Sequence, residues 1–240
     1  MGKHLRQQRR GKGSPTYRRP SHRFVSDARY RKYDALEKEG SFLGYVRDFV
    51  DDRARDPLLM DVVLENGENL MLIAPEGIKA GDTIEMGIKA KPTLGSVLPL
   101  AAIPDGLPIY NIELNPGDGG KFVRSAGACA YVVSHEENGV TIMLPSKKMR
   151  NFNPLCRAQV GVICAGGMKE KPIMKAGKKF YMMKARNLDY PCVRGVAMNP
   201  VAHPFGGKEH HRGRSSCVSR NAPPGRKVGH LAAKSTGRRK

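Results

Sequence analysis

"LLMDVVLENGENLMLIA", residues 58–74, places two apolar runs on either side of Asn66-Gly67. That dipeptide readily adopts the positive φ of a tight hairpin turn, and each run is one strand long. The segment therefore reads as a β-hairpin. Its surroundings continue the pattern: "FLGYVRDFV" (42–50) mixes aromatic and β-branched residues, and "GDTIEMG" (81–87) supplies another short strand. Closely spaced short strands without a sustained 3.6-residue apolar stripe predict a small barrel.

Further along, "KPTLGSVLPLAAIPDGLP" (91–108) is rich in proline and reads as a linker. Beyond it, "IYNIEL" (109–114) reads as a strand. "ACAYVVSHEENGVTIMLPSKKMRNF" (128–152) reads as a hairpin around Asn138-Gly139 with a third strand after Pro145, and "RAQVGVICAGG" (157–167) as a last strand. These predict a second small barrel with basic loops. The expected fold class is mainly β, with two small barrels in tandem over 35–93 and 94–178. Long basic extensions, 1–34 and 179–240, flank them. A chain of 240 residues has room for that arrangement.

The charge is distributed unevenly. The formal net charge is +20, and residues 1–33 carry eleven Lys/Arg against one acid, as do residues 191–240. Between them the twenty bases and twenty acids cancel, so all the excess positive charge lies in the two ends. A polyanion is the partner such ends suit. Apolar burial within the arms falls short of the cost of ordering their backbone, and like-charge repulsion adds to the deficit. They are expected to order on that partner rather than alone.

No apolar run approaches the ~20 residues of a bilayer span. The start lacks the Ser or Thr of a myristoylation signal and the apolar core of a secretory one. The expectation is a soluble cytoplasmic chain without membrane attachment. The five cysteines, at 129, 156, 164, 192 and 217, form no Cys-x-x-Cys pair. They read as reduced thiols packed as small apolar residues.

Three groups of residues are candidates for chemistry. The glycine loop "NPGDGGKFVRSAGA" (115–128) fails the P-loop pattern at Asn115 and Phe122, and it fails the dinucleotide pattern at residue 122 as well. It reads instead as a phosphate contact through Lys121, Arg124 and Ser125, small residues allowing close backbone approach; an ordinary loop is the competing reading. For metal, His203, His210, His211 and Cys217 lie at irregular spacing on a glycine-rich arm, unlike a structural zinc site. For catalysis, His203 follows Ala202, and the nearest acid, Glu209, lies beyond two glycines. No catalytic residue, metal or cofactor is expected, and His203 suits an RNA contact better.

The arms share one composition. "RQQRRGKGSPTYRRPSHRF" (6–24) and "SRNAPPGRKVGHLAAKSTGRRK" (219–240) interleave Arg and Lys with Gly, Pro, Ser and an occasional ring. Arg9, Arg10, Lys12, Arg18 and Arg19 in the first, and Arg220, Arg226 and Lys227 in the second, are the candidate phosphate contacts. The irregular mix favours a folded RNA over a uniform duplex groove. A chromatin-like DNA binder and a metal- or His-dependent enzyme acting on RNA are the alternatives.

At "RGVAMNPVAHPFGG" (194–207) the sequence resembles the signature of the universal large-subunit ribosomal protein two family. "RQQRRGKGS", "NPGDGGKFVRSAGA" and "GGMKEKPIMKAG" (166–177) extend the resemblance in order, and "SRNAPPGRKVGHLAAKSTGR" (219–238) resembles its archaeal type. The resemblance implies an oligonucleotide-binding (OB)-type barrel followed by an SH3-like barrel, with extensions threaded into large-subunit rRNA. It implies early assembly, neighbouring ribosomal proteins, proximity to the peptidyl transferase region and association with the small subunit through an intersubunit bridge. It also implies that Arg194, Met198, Asn199, Pro200, His203, Pro204, Gly206 and Gly207 form a loop reaching toward the RNA catalytic centre. Two positions depart from the family pattern. Ala202 stands where many members have an acid, and Phe205 where bacterial members have a second histidine; both weaken any His–carboxylate chemistry.

Overall fold

The computed structural model describes residues 2–136, 139–168, 170–207 and 215–233. Asn138, Glu209, His210 and His211 lie outside the described residues. The chain divides into two compact units, Ser21–Pro172 and Met1–Pro20 together with Ile173–Lys240.

The unit Ser21–Pro172 is built on ten strands. They are β1 (Ser41–Val50), β2 (Leu59–Leu64), β3 (Asn69–Ile73), β4 (Thr83–Gly87) and β5 (Val97–Pro99), then β6 (Pro108–Tyr110), β7 (Ala130–Glu136), β8 (Gly139–Met143), β9 (Met149–Phe152) and β10 (Arg157–Val160). The 58–74 segment forms the expected hairpin: β2 pairs antiparallel with β3 from Leu59–Ile73 to Val63–Asn69. Gly67 turns it at φ +82, its N–H donating to Leu64 O at 2.9 Å. β7, β8 and β9 form the expected antiparallel meander.

The mainly β class is as expected. The hydrogen-bonded order β3-β2-β1-β4-β5-β10-β6-β7-β8-β9 is one continuous sheet, so strand order alone does not separate two barrels. Two halves are visible instead as two apolar cores. One gathers Val46, Met60, Val62, Leu72, Ile84 and Met86 from β1–β4. The other gathers Leu98, Leu100, Ile109, Val132, Ile142 and Phe152 from the later strands. A third cluster holds Leu59 and Ile73 with Tyr110 and Ile163.

The proline-rich stretch expected as a linker is different in the structure. Val97–Pro99 is strand β5, which pairs parallel with β4 and antiparallel with β10, and Val97, Leu98 and Leu100 are fully buried. Its only proline, Pro99, ends the strand, where a missing N–H is tolerated. Residues 21–34 also join the sheet unit, with Ala28 and Tyr30 in its apolar clusters.

The second unit contains helix α1 (Arg6–Arg10), helix α3 (Ala176–Ala185) and a two-residue parallel ladder of Cys217–Val218 with His230–Leu231; α2 (Ala35–Glu39) belongs to the sheet unit. Among its described residues, only Leu5 and Val228 are buried apolar side chains. Polar ties bring the two ends of the chain together instead. Lys3 N donates to Val201 O at 2.7 Å, and Asn187 Nδ2 donates to Arg18 O at 2.6 Å. Asp189 pairs with Arg10 at 2.8 Å and Arg6 at 3.5 Å.

The thiols are all free. Cys156 is buried, and burial pushes its pKa up to about 11, as for an inert packed thiol. Cys129 and Cys164 are half-buried, whereas Cys192 and Cys217 are exposed, so apolar packing accounts for only part of the set.

Candidate nucleic-acid interface

Three elements carry the residues singled out by sequence: the loop 115–125, the loop 194–207 and the two basic ends. The first is organised from beneath. Glu113, fully buried, accepts the N–H groups of Gly117 (3.1 Å) and Gly119 (3.0 Å). The same carboxylate accepts Arg157 N (2.9 Å) and Nη2 (2.8 Å). Arg157 in turn donates through Nη1 to Glu37 Oε1 (2.9 Å) and Arg31 O (3.1 Å), and lies against the rings of Tyr30 and Tyr33. Burial alone would lower the Arg157 pKa; bonding to Glu113 and the charge of Glu37 hold it above its ordinary value. Burial raises the Glu37 carboxyl, and Arg157 offsets only part of that.

The glycines of this loop are required by the fold. Gly117, Gly119 and Gly120 sit at φ +83, +81 and +88, a region L side chains rarely adopt. A Cβ at Gly120 would overlap Asn111 Oδ1, and one at Gly119 would come 3.1 Å from Arg29 Cβ. Burial tends to raise Asp118, but the N–H of Asn115, the side chain of Lys121 and the N–H of Gly120 together hold it below its usual range. Of the three predicted phosphate contacts, Lys121 and Ser125 are exposed. Arg124 is half-buried and engaged within the unit, donating to Ala28 O (2.7 Å) and Gly120 O (3.0 Å).

The loop 194–207 is closed by its own backbone. Ala202 N and His203 N donate to Asn199 O (2.9 and 3.1 Å), Gly206 N to His203 O (2.9 Å) and Gly207 N to Met198 O (3.2 Å). Gly206 has no room for a side chain, because a Cβ there would overlap the carbonyls of Met198 and Asn199. The His203 ring occupies the space a Cβ at Gly195 would need. Its Nδ1 accepts Phe205 N–H at 3.0 Å, so the neutral ring carries its proton on Nε2. Burial lowers its pKa from 6.5, which favours that neutral form. Arg194, Asn199 and Pro200 are exposed, while Met198, Pro204, Gly206 and Gly207 are half-buried.

On the basic ends, Arg9, Arg10, Lys12, Arg18, Arg19, Arg220, Arg226 and Lys227 are all exposed. Sequence reasoning missed the acids that fix this architecture. Asp189, one of few acids in a basic stretch, joins Arg6 and Arg10, and Glu113 holds the glycine loop. Among the described residues, no three metal-ligating side chains come together, and no helix is long and apolar enough to cross a membrane.

Comparison with known proteins agrees with the resemblance in sequence. Residues 93–227 match the family model described as Ribosomal Proteins L2, C-terminal domain. The large ribosomal subunit protein uL2 of Methanobrevibacter smithii is 53% identical over 238 residues, covering 99% of both chains. Those of Methanococcus aeolicus and Methanocaldococcus jannaschii are each 50% identical over the full length of both chains. From Met1 to the last residues, the chain thus belongs to the uL2 family of large ribosomal subunit proteins, in its archaeal type.

Proposed function

We propose that this chain is a structural constituent of the large ribosomal subunit that binds rRNA directly. The observation that carries this reading is the location of its charge. All the net excess lies in residues 1–33 and 191–240, much of it on a unit with two buried apolar side chains among its described residues. Such a unit gains its missing partner surface from a polyanion. The exposed Arg and Lys residues supply phosphate contacts, and the closed 194–207 loop presents a preformed surface to the RNA.

In this role the chain supports subunit assembly and the architecture around the peptidyl transferase centre. It contacts neighbouring ribosomal proteins and associates with the small subunit through a bridge. His203 acts by position: the bond from Phe205 N orients its ring, and Ala202 offers no carboxylate.

Binding of the full chain to a transcript of archaeal large-subunit rRNA, titrated across salt, tests the reading. Ten phosphate contacts give a log–log slope of roughly −7 to −9. Binding that ignores salt, or equal competition by duplex DNA at matched salt, would sink it.

A further inference from the structure

Within the unit formed by the chain ends lies a cavity of about 690 Å³, between residues 2–10 and residues 192–203. Its size falls in the ~300–1,000 Å³ range of small-molecule sites. Leu5, Val193, Met198 and Ala202 give it apolar walls. Lys3, Arg6, Arg9 and Arg10 also line it, and among the described residues no Asp or Glu does. Asp189 pairs with Arg6 and Arg10 from outside the lining, and Lys3 and Arg9 are exposed. His203 completes the wall, held by its bond from Phe205 N and seated over Gly195.

Apolar walls with a cationic rim match one chemistry closely: a planar base whose faces seek stacking or apolar contact, carried on a phosphate backbone. Sequence-specific RNA recognition commonly works by splaying such a base out of its helix. We infer that this cavity receives a single unpaired nucleotide of the large-subunit rRNA, its base against Leu5, Met198 and Ala202 and its phosphates on Lys3 and Arg9. The inference rests on the rRNA-binding reading above and adds a defined site to it. It also gives the meeting of the two chain ends a purpose, since neither residues 2–10 nor residues 192–203 form the walls alone. Ala202 matters here as the small residue that keeps the space open, and Gly195 as the one that leaves room for the His203 ring.

Cys192 lines the same cavity and is exposed, which provides a probe needing no substitution. Full-length chain is treated with N-ethylmaleimide, with and without bound large-subunit rRNA transcript, and modification of Cys192 is followed by mass spectrometry. Bound rRNA should slow it at least tenfold. Separately, Ala202→Phe fills the cavity and should weaken rRNA binding about tenfold, a stacking-sized loss. Its salt slope should stay unchanged, because the phosphate contacts remain. Dimethyl sulfate probing should find one unpaired base shielded by the unsubstituted chain and reactive with the variant. Undiminished Cys192 labelling on bound rRNA, or Ala202→Phe binding at full affinity, overturns the site alone. Failure of the unsubstituted chain to bind rRNA overturns the proposed function and this site with it.

Discussion

Leu98 and Leu5 are the same residue type in two different kinds of structure. Leu98, on β5, is fully buried within the second core, beside such members as Leu100, Ile109, Val132 and Phe152 in the same cluster. Leu5, just before α1, is nearly as buried, yet Val228 is the only other buried apolar side chain among the described residues of its unit, and a cavity opens beside it. The sheet unit contains its own reason to fold, in burial that needs nothing from outside. The unit of the two chain ends is held by backbone turns, by ion pairs to Asp189 and by glycines shaped to one conformation. Its charge is the part left unanswered within the chain.

The strongest way to break the first half of that contrast is through its buried charges. Arg157→Ala leaves Glu113 and Glu37 in the interior without their shared cation, and removing one partner of a buried pair costs about 3–5 kcal/mol. Denaturant unfolding should show that loss as a lower midpoint. Adding Glu113→Gln should recover part of it, since one stranded charge disappears. A wild-type midpoint for Arg157→Ala would mean that the network is ornamental to the fold.

A smaller effect separates the two leucines directly. Leu98→Ala should destabilise the sheet unit by about 2–5 kcal/mol, the usual cost of emptying a packed site. Leu5→Ala should leave that unit's unfolding transition in place. It should act instead on amide protection around residues 2–10 and on rRNA affinity. Equal shifts in the main transition from both variants would show that the two units fold as one.

Local signals in the sequence were enough for the hairpins. Asn66-Gly67 between apolar runs specifies a turn from neighbours alone, and β2–β3 forms there. The 91–108 stretch departs from its linker-like composition because composition reports prolines without their positions. Pro99 ends a strand whose preceding residues are wholly buried, and all three of its residues pair with β10, some sixty residues later. Non-local partnership also concealed Glu113. Nothing in "IYNIEL" announces a carboxylate that bonds to Gly117, Gly119 and Arg157 at once. The same limit applies to the site. Loop 194–207 was recognisable by its residues, but its place beside residues 2–10 depends on a contact across nearly the whole chain, such as Lys3 N to Val201 O.

The smallest expected effect is a pH response with opposite sign in the two units. Burial lowers the His203 pKa below 6.5, so the folded form holds that proton less tightly than the unfolded chain. Stability from this group is present above pH 6.5 and is lost as pH falls through the lower folded value. Protonation at Nδ1 would also remove the acceptor for Phe205 N–H. Glu37 behaves the other way. Burial raises its pKa above 4.5, so its contribution becomes more favourable as pH falls through the raised value. Because the His203 ring is partly open to solvent, its effect should be local, visible as reduced protection of the Phe205 amide as pH falls below 6.5 through the lowered folded value. His203→Ala should flatten that dependence without altering the acid response of the sheet unit, and Glu37→Gln should do the reverse. If either substitution changed both responses, the two units would share a proton-linked equilibrium, and the independence on which the contrast rests would fail.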